Sequence, residues 1–432
     1  MADGLAALAG LGLGITLALG ISAESAGSLA APGGVATAAG RLTGLASAYG
    51  MAVVVLLVAR IPALERAVGQ DRLASWHRRL GPWPLFLLVG HGVFTTIGYA
   101  HAARDGLLHQ FGQLLWTYPG VLAATAGFLL LIAAGVTSYR KARRRMAYET
   151  WWTVHLYTYL ALFLSFSHQI GTGASFVGHP IATAFWWALW VGTLAAVVGW
   201  RVALPAWRSA RHGLRVERVD VENDTVVSVT LRGRGLDRLN IAGGQFLQWR
   251  FLTPGMWWQA HPYSLSASPT DRRLRITVKD LGDHSRALAT LKPGTRVAFE
   301  GPYGTFTTAS RQDDRVLLVG AGVGSAPILA VLQDLPDGAD PIVVLRASSR
   351  SELVLRDEIA DETHRRNGRL FELPGSRSTH PLNADSLRMI APDLERRDVY
   401  ICGPEGFTSD LTSTLRDAGL PAERLHYESF AF

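Results

Sequence analysis

The sequence predicts a multidomain membrane protein: a six-helix transmembrane bundle, then an antiparallel β-barrel, then an α/β domain with a parallel sheet. Three observations carry this. Apolar runs long enough to span a bilayer crowd the first half of the 432 residues, and the mean hydropathy is +0.16. Short alternating runs begin at Leu214. After Thr308, buried-looking strands alternate with helical segments. The expected domains are 1–205, 206–308 and 309–432.

The six expected spans are Leu5–Ile21, Leu42–Ala59, Gly81–Ala100, Tyr118–Thr137, Trp151–His168 and Ile181–Val202. Each approaches the roughly 20 residues that cross the hydrocarbon. Pro119 and Pro180 stand where the fourth and sixth should begin, a position proline tolerates. Pro205 is expected to end the last. Residues 1–4 hold no Lys or Arg, unlike a signal peptide's first region, so the first run is read as a helix.

The net charge of +7 is no sign of a nucleic-acid partner, because the basic residues gather beside the spans. Arg60, Arg66, Arg72, Arg78 and Arg79 follow span two; Arg140, Lys141, Arg143, Arg144 and Arg145 follow span four; Arg201, Arg208, Arg211 and Arg215 follow span six. The opposite loops hold only Arg41 and Arg104. By the positive-inside rule both termini are cytoplasmic, in a six-pass inner-membrane protein. One cysteine, Cys402, excludes an intrachain disulfide and a cysteine-rich metal cluster.

The membrane half is organised around Trp151–His168, which carries His155 and His168 near its ends. His77 and His91 bracket the third span in the same way. An ionisable residue inside the bilayer is costly and points to function. Each pair is separated by roughly 20 Å of helix at about 1.5 Å per residue. Spans three and five run in one direction, so His77 faces His155 at the cytoplasmic level and His91 faces His168 at the outer level. Two matched pairs suit two stacked bis-histidine haems, a ligation that favours electron transfer. A lone histidine there would only bond a neighbouring helix. The 13-residue spacing leaves His155 and His168 about 140° apart on an ideal helix. Span five must bend or bulge, or the two haems sit at different azimuths.

In the second half, alternation with Gly, Pro and Asp between the runs indicates the barrel. His261, Pro262, Tyr263, Ser264, Leu265 and Ser266 form a rigid strand able to flank a flavin. Lys279, Gly282, Asp283 and Ser285 surround a helix start, where free N–H groups favour a pyrophosphate. Both are also ordinary strand-and-turn sequences. Gly320, Gly322, Gly324, Ser325 and Pro327 lie between a buried strand and a helix, the setting of a phosphate cradle. Arg346, Ser349 and Arg350 end the next strand, where a ribose 2′ group would fall. Arginines with no acid favour NADPH, with NADH the alternative. Cys402, Gly403 and Pro404 end a later strand, on the nicotinamide side.

Together these residues resemble the NADPH oxidase and ferric reductase superfamily, in its bacterial type, over nearly the whole chain. The histidine spacings resemble its haem ligands, His261–Ser266 its flavin strand, Gly301-Pro302-Tyr303-Gly304 its interdomain turn, Gly320–Pro327 its nucleotide turn and Cys402-Gly403-Pro404 its nicotinamide loop. Glu428-Ser429-Phe430 is similar to its closing segment, whose aromatic ring covers the flavin. Phe430 is the first choice for that ring and Phe432 the alternative.

The resemblance implies FAD, two b-type haems and NADPH, with Cys402, Glu428 and Phe430 or Phe432 at the hydride-transfer site. Electrons would pass from cytoplasmic NADPH through FAD, the inner haem and the outer haem to O2, giving superoxide. The alternatives are a ferric-chelate reductase and an electron-transfer subunit for a periplasmic protein. The family's eukaryotic oxidases carry a histidine one turn beyond the outer ligand, where this chain has Thr95; Arg41 is the candidate for the arginine that accompanies it. No regulatory device is legible, so constitutive activity is expected, with no obligatory protein partner.

Overall fold

The computed structural model describes residues 2–143, 145–146, 148–376 and 378–430. It divides into two compact units, Met1–Val202 and Ala203–Phe432.

The first unit is helical. Its long helices among the described residues are Ala2–Ser22, Gly34–Leu57, Pro82–Ala103, Val121–Ser138, Tyr148–Thr172 and Pro180–Ala196. Among the described residues, five helical segments are long and apolar enough to cross a membrane. Tyr148–Thr172 is not among those five; its histidines, tyrosines and serines dilute an otherwise apolar helix of 25 residues.

Several expected boundaries move. The second helix starts at Gly34, not Leu42, because small residues with few branches extend it backward. Pro119 precedes the N-cap Gly120 instead of entering the first turn, whereas Pro180 does open its helix. Pro205 does not end the last span. It sits in the first turn of the helix Leu204–His212, where its missing N–H costs nothing, after a π-helical turn at Val197–Ala203.

The second unit begins with two three-stranded antiparallel sheets. One has the order β1 (Arg215–Asn223), β2 (Val226–Arg232), β5 (Arg273–Lys279). The other has the order β4 (His261–Ser264), β3 (Phe246–Phe251), β6 (Val297–Tyr303). Strand alternation sends Leu247, Trp249 and Phe251 of β3 into a core shared with Val229, Leu231, Leu274 and Ile276.

A five-stranded parallel sheet follows, with the order β11 (Leu425–Phe430), β10 (Asp398–Pro404), β7 (Val316–Ala321), β8 (Ile342–Ala347), β9 (Arg369–Pro374). β7 and β8 are buried along their whole length, as strands covered on both faces must be. Leu318, Val343, Leu345 and Tyr400 pack on one face; Leu317, Val319, Val344 and Ile401 pack on the other. This alternation fixes the register, because a one-residue slip would exchange the two faces. The register sets Cys402 beside Glu428 and Pro404 beside Phe430.

Candidate functional site

In the helical unit the four histidines meet as two pairs. The His77 and His155 rings have centroids 6.0 Å apart and planes 72° apart. The His91 and His168 rings are 6.2 Å and 43° apart. A metal held between two imidazole nitrogens, at about 2 Å from each, leaves ring centres about 6 Å apart.

The Nδ1 atoms are engaged elsewhere. His77 Nδ1 lies 2.9 Å from the Val54 carbonyl, His91 Nδ1 2.7 Å from that of Gly40 and His168 Nδ1 2.6 Å from that of Ser165. His155 Nδ1 faces the Ser138 hydroxyl at 3.4 Å. A ring that donates its Nδ1–H in this way offers an unprotonated Nε2, the state a metal ligand needs. Among the described residues no group of three or more His, Cys, Asp or Glu could hold a metal ion. Two facing histidines would suit a group that brings most of its own metal ligands.

Small residues make this approach possible. A Cβ on Gly44 would fall 2.6 Å from His91 Nδ1, and one on Gly40 would meet Thr95. Helix Gly34–Leu57 therefore packs close enough on Pro82–Ala103 for a main-chain carbonyl to reach the ring. His77 lies on Gln70–Leu80, which runs on through Gly81, itself in helical conformation, into Pro82–Ala103, so His77 and His91 share one helical segment, Arg72–Ala103. Tyr148–Thr172 is α-helix throughout, across both its histidines. At α-helical spacing the two histidines leave it at different azimuths.

In the second unit, a cluster forms on β4. His261 stacks on His284 with centroids 3.6 Å apart, and the Tyr263 hydroxyl lies 3.2 Å from His284 Nδ1. Burial pushes the Tyr263 phenol up, so it keeps its proton and can donate to Nδ1. With Tyr263 as the donor, His284 Nε2 carries the imidazole proton, and that nitrogen is buried with no hydrogen-bond partner among the described residues. A buried donor beside an aromatic strand fits a planar ligand with carbonyl acceptors, as a flavin is.

Ser264 donates to Glu428 at 3.2 Å. Cys402, its register partner Glu428 and Ser264 thus converge. Burial and then the Glu428 charge push the buried Cys402 thiol up, which keeps it protonated and unreactive as a nucleophile. Phe430 pairs with Pro404 and packs against the core of the parallel sheet. Phe432 lies outside the described residues.

The glycine turn is dictated by contact. Gly322 has φ +56°, and a Cβ on Gly324 would run into the Cys402 carbonyl. The turn delivers the helix Ser325–Gln333, which contains Pro327, with its free N–H groups toward this loop.

Other expected residues serve elsewhere. Pro262 lies opposite Gln248, and Leu265 is buried in the core shared by the two antiparallel sheets. Ser266 is buried and receives Arg275. Ser285 bonds its own turn at Leu281 and Gly282. Lys279 and Asp283 are exposed near it. Gly403 lies against Ala321 and Phe407. Arg346 is buried with Nη1 on the Leu373 carbonyl, while Arg350 is exposed near Glu372, and Ser349 bonds Ser351. Arg41 is paired with Glu24 at 2.8 Å. Sequence reasoning missed His284, although it stands inside the turn that signalled a pyrophosphate, and it missed Ser138 and the three carbonyls, which carry no signature.

Residues 43–166 match the model of the ferric reductase like transmembrane component, and residues 211–307 match the FAD-binding domain. The chain is 31% identical over 245 residues to a flavohemoprotein of Deinococcus radiodurans, covering 52% of this chain and 60% of that protein. It is 28% identical over 244 residues to an NADPH oxidoreductase of Mycobacterium tuberculosis, covering 53% of this chain and 63% of that one. The chain thus spans less than two thirds of each relative's length. Among solved structures, the flavohem-like FAD/NAD binding domain of a Vibrio cholerae nitric oxide dioxygenase is 25% identical, with a TM-score of 0.45, over 51% of this chain and 99% of that one.

Proposed function

We propose a function for a chain that has the domain architecture of the NADPH oxidase and ferric reductase superfamily: an NAD(P)H-dependent membrane oxidoreductase that delivers electrons to an acceptor across the bilayer. The observation that carries the reading is the pair of histidine couples at 6.0 and 6.2 Å.

His77 with His155 and His91 with His168 would each hold one b-type haem; His261–Ser264 and His284 would flank FAD. When bound, these groups supply the change from two-electron hydride chemistry to single-electron transfer. The chain's own residues do the rest. Gly322, Gly324 and the helix start at Ser325 cradle the phosphates of NADPH. Arg350 and Ser349 stand where a 2′-phosphate would be read. Ser264 and Glu428 orient the reacting rings, the protonated Cys402 keeps charge away from them, and Phe430 shields the flavin from water.

In this reading the chain crosses the inner membrane six times, with both termini and the flavin module (206–308 and 309–432) in the cytoplasm. The acceptor is O2, giving superoxide. Purified full-length protein should show a bis-histidine haem spectrum and consume NADPH with superoxide formation. Turnover only with ferric chelates would make it a ferric reductase, and turnover only with an added periplasmic protein would make it an electron-transfer subunit. Absence of the haem spectrum would sink the reading.

A further inference from the structure

Three of the four histidines turn Nδ1 to a main-chain carbonyl at 2.6–2.9 Å. His155 differs. Its Nδ1 faces the Ser138 hydroxyl at 3.4 Å, and the same hydroxyl accepts the Trp151 indole N–H at 3.1 Å. The Trp151 ring stacks on His155, centroids 5.2 Å and planes 24° apart, and the Arg143 guanidinium lies 4.7 Å over that indole.

We propose that Ser138 and Trp151 are positioning residues for His155, and that they make it the weaker-donating ligand of the inner pair. This rests on the haem reading above. An indole N–H can only donate, so Ser138 must accept from Trp151. One lone pair of the hydroxyl remains. With Nε2 given to the iron, His155 Nδ1 carries the proton and donates it to that lone pair. A hydroxyl at 3.4 Å withdraws less from the N–H than a carbonyl at 2.6–2.9 Å, so the His155 ring is the less basic one. A weaker donor stabilises ferric iron less and raises the midpoint potential of its site. Ring orientation here comes from the indole stack, which no other histidine of the four has among the described residues.

The test is a redox titration with low-spin electron paramagnetic resonance on full-length, haem-loaded protein. The inner component is the one that His155→Ala removes. Ser138→Ala should raise its potential and shift its resonance, leaving the outer component unmoved. Ser138→Asp, a stronger acceptor, should lower it, and Ser138→Thr should restore wild-type values. A structural role alone would move Ala and Asp variants the same way. If Ser138→Ala matches wild type with both haems retained, or shifts both components equally, the proposal is overturned while the electron-transfer reading stands. A protein that binds no haem overturns both.

Discussion

The Ser264 hydroxyl donates to the Glu428 carboxylate at 3.2 Å, joining β4 of an antiparallel sheet to the last strand of the parallel sheet across 164 positions of chain. The bond ties β4 to β11, whose neighbour β10 carries Cys402. A hydrogen bond to a charged group is worth about 1.5–3 kcal/mol, equivalent to roughly 10–100-fold in rate if it acts in the transition state. Ser264→Ala should slow NADPH-dependent flavin reduction by about that factor in stopped-flow measurements while FAD stays bound. An unchanged rate would take Ser264 out of the hydride-transfer site.

Replacing His91 or His168 by Ala should remove one haem and leave the other. The pyridine haemochrome content should fall by half, and the remaining potential should be that of the inner site. Loss of both haems from folded protein would show that the two sites do not form independently.

Gly324→Ala introduces a methyl against the Cys402 carbonyl. Overpacking of this kind costs about 1–3 kcal/mol. The variant should melt earlier and lose NADPH binding more than FAD binding; wild-type nucleotide affinity by calorimetry would refute this account of the turn.

Arg350→Ala should raise the KM for NADPH severalfold and leave that for NADH unchanged, since only the phosphorylated ribose meets the lost cation. Equal effects on both coenzymes would remove Arg350 from the 2′ site.

Burial, and then the charge of neighbouring His261, pull His284 down from its ordinary value to about 4. The unfolded chain binds its proton near pH 6.5, so between about 6.5 and 4 it holds more protons than the folded state. Stability from this group is present above that window and is lost as pH falls through it. Flavin-release melting curves should drop across the window in wild type and drop less in His284→Gln. Identical slopes would exclude the histidine.

Much of this was readable from residue types. The histidine spacings, the glycine turn and the order of antiparallel sheets before a parallel one follow from side-chain identity and periodicity. The failures share a cause. Arg346 looked like a phosphate ligand because it is an arginine at a strand end, but β8 is buried along its length and the side chain turns to the Leu373 carbonyl. Pro205 looked like a stop, yet a proline in a first turn is no obstacle.

Helix Gly34–Leu57 presents the carbonyls of Gly40 and Val54 to His91 and His77, so 14 residues of one helix are matched, in reverse, to 14 of its antiparallel neighbour. These contacts are made by the peptide backbone. The helix is therefore a measuring rod: small residues such as Gly40 and Gly44 allow the approach, and its length sets the match. Removing one residue between Gly40 and Val54 would rotate one carbonyl by about 100° and withdraw it by about 1.5 Å, uncoupling one site and sparing the other.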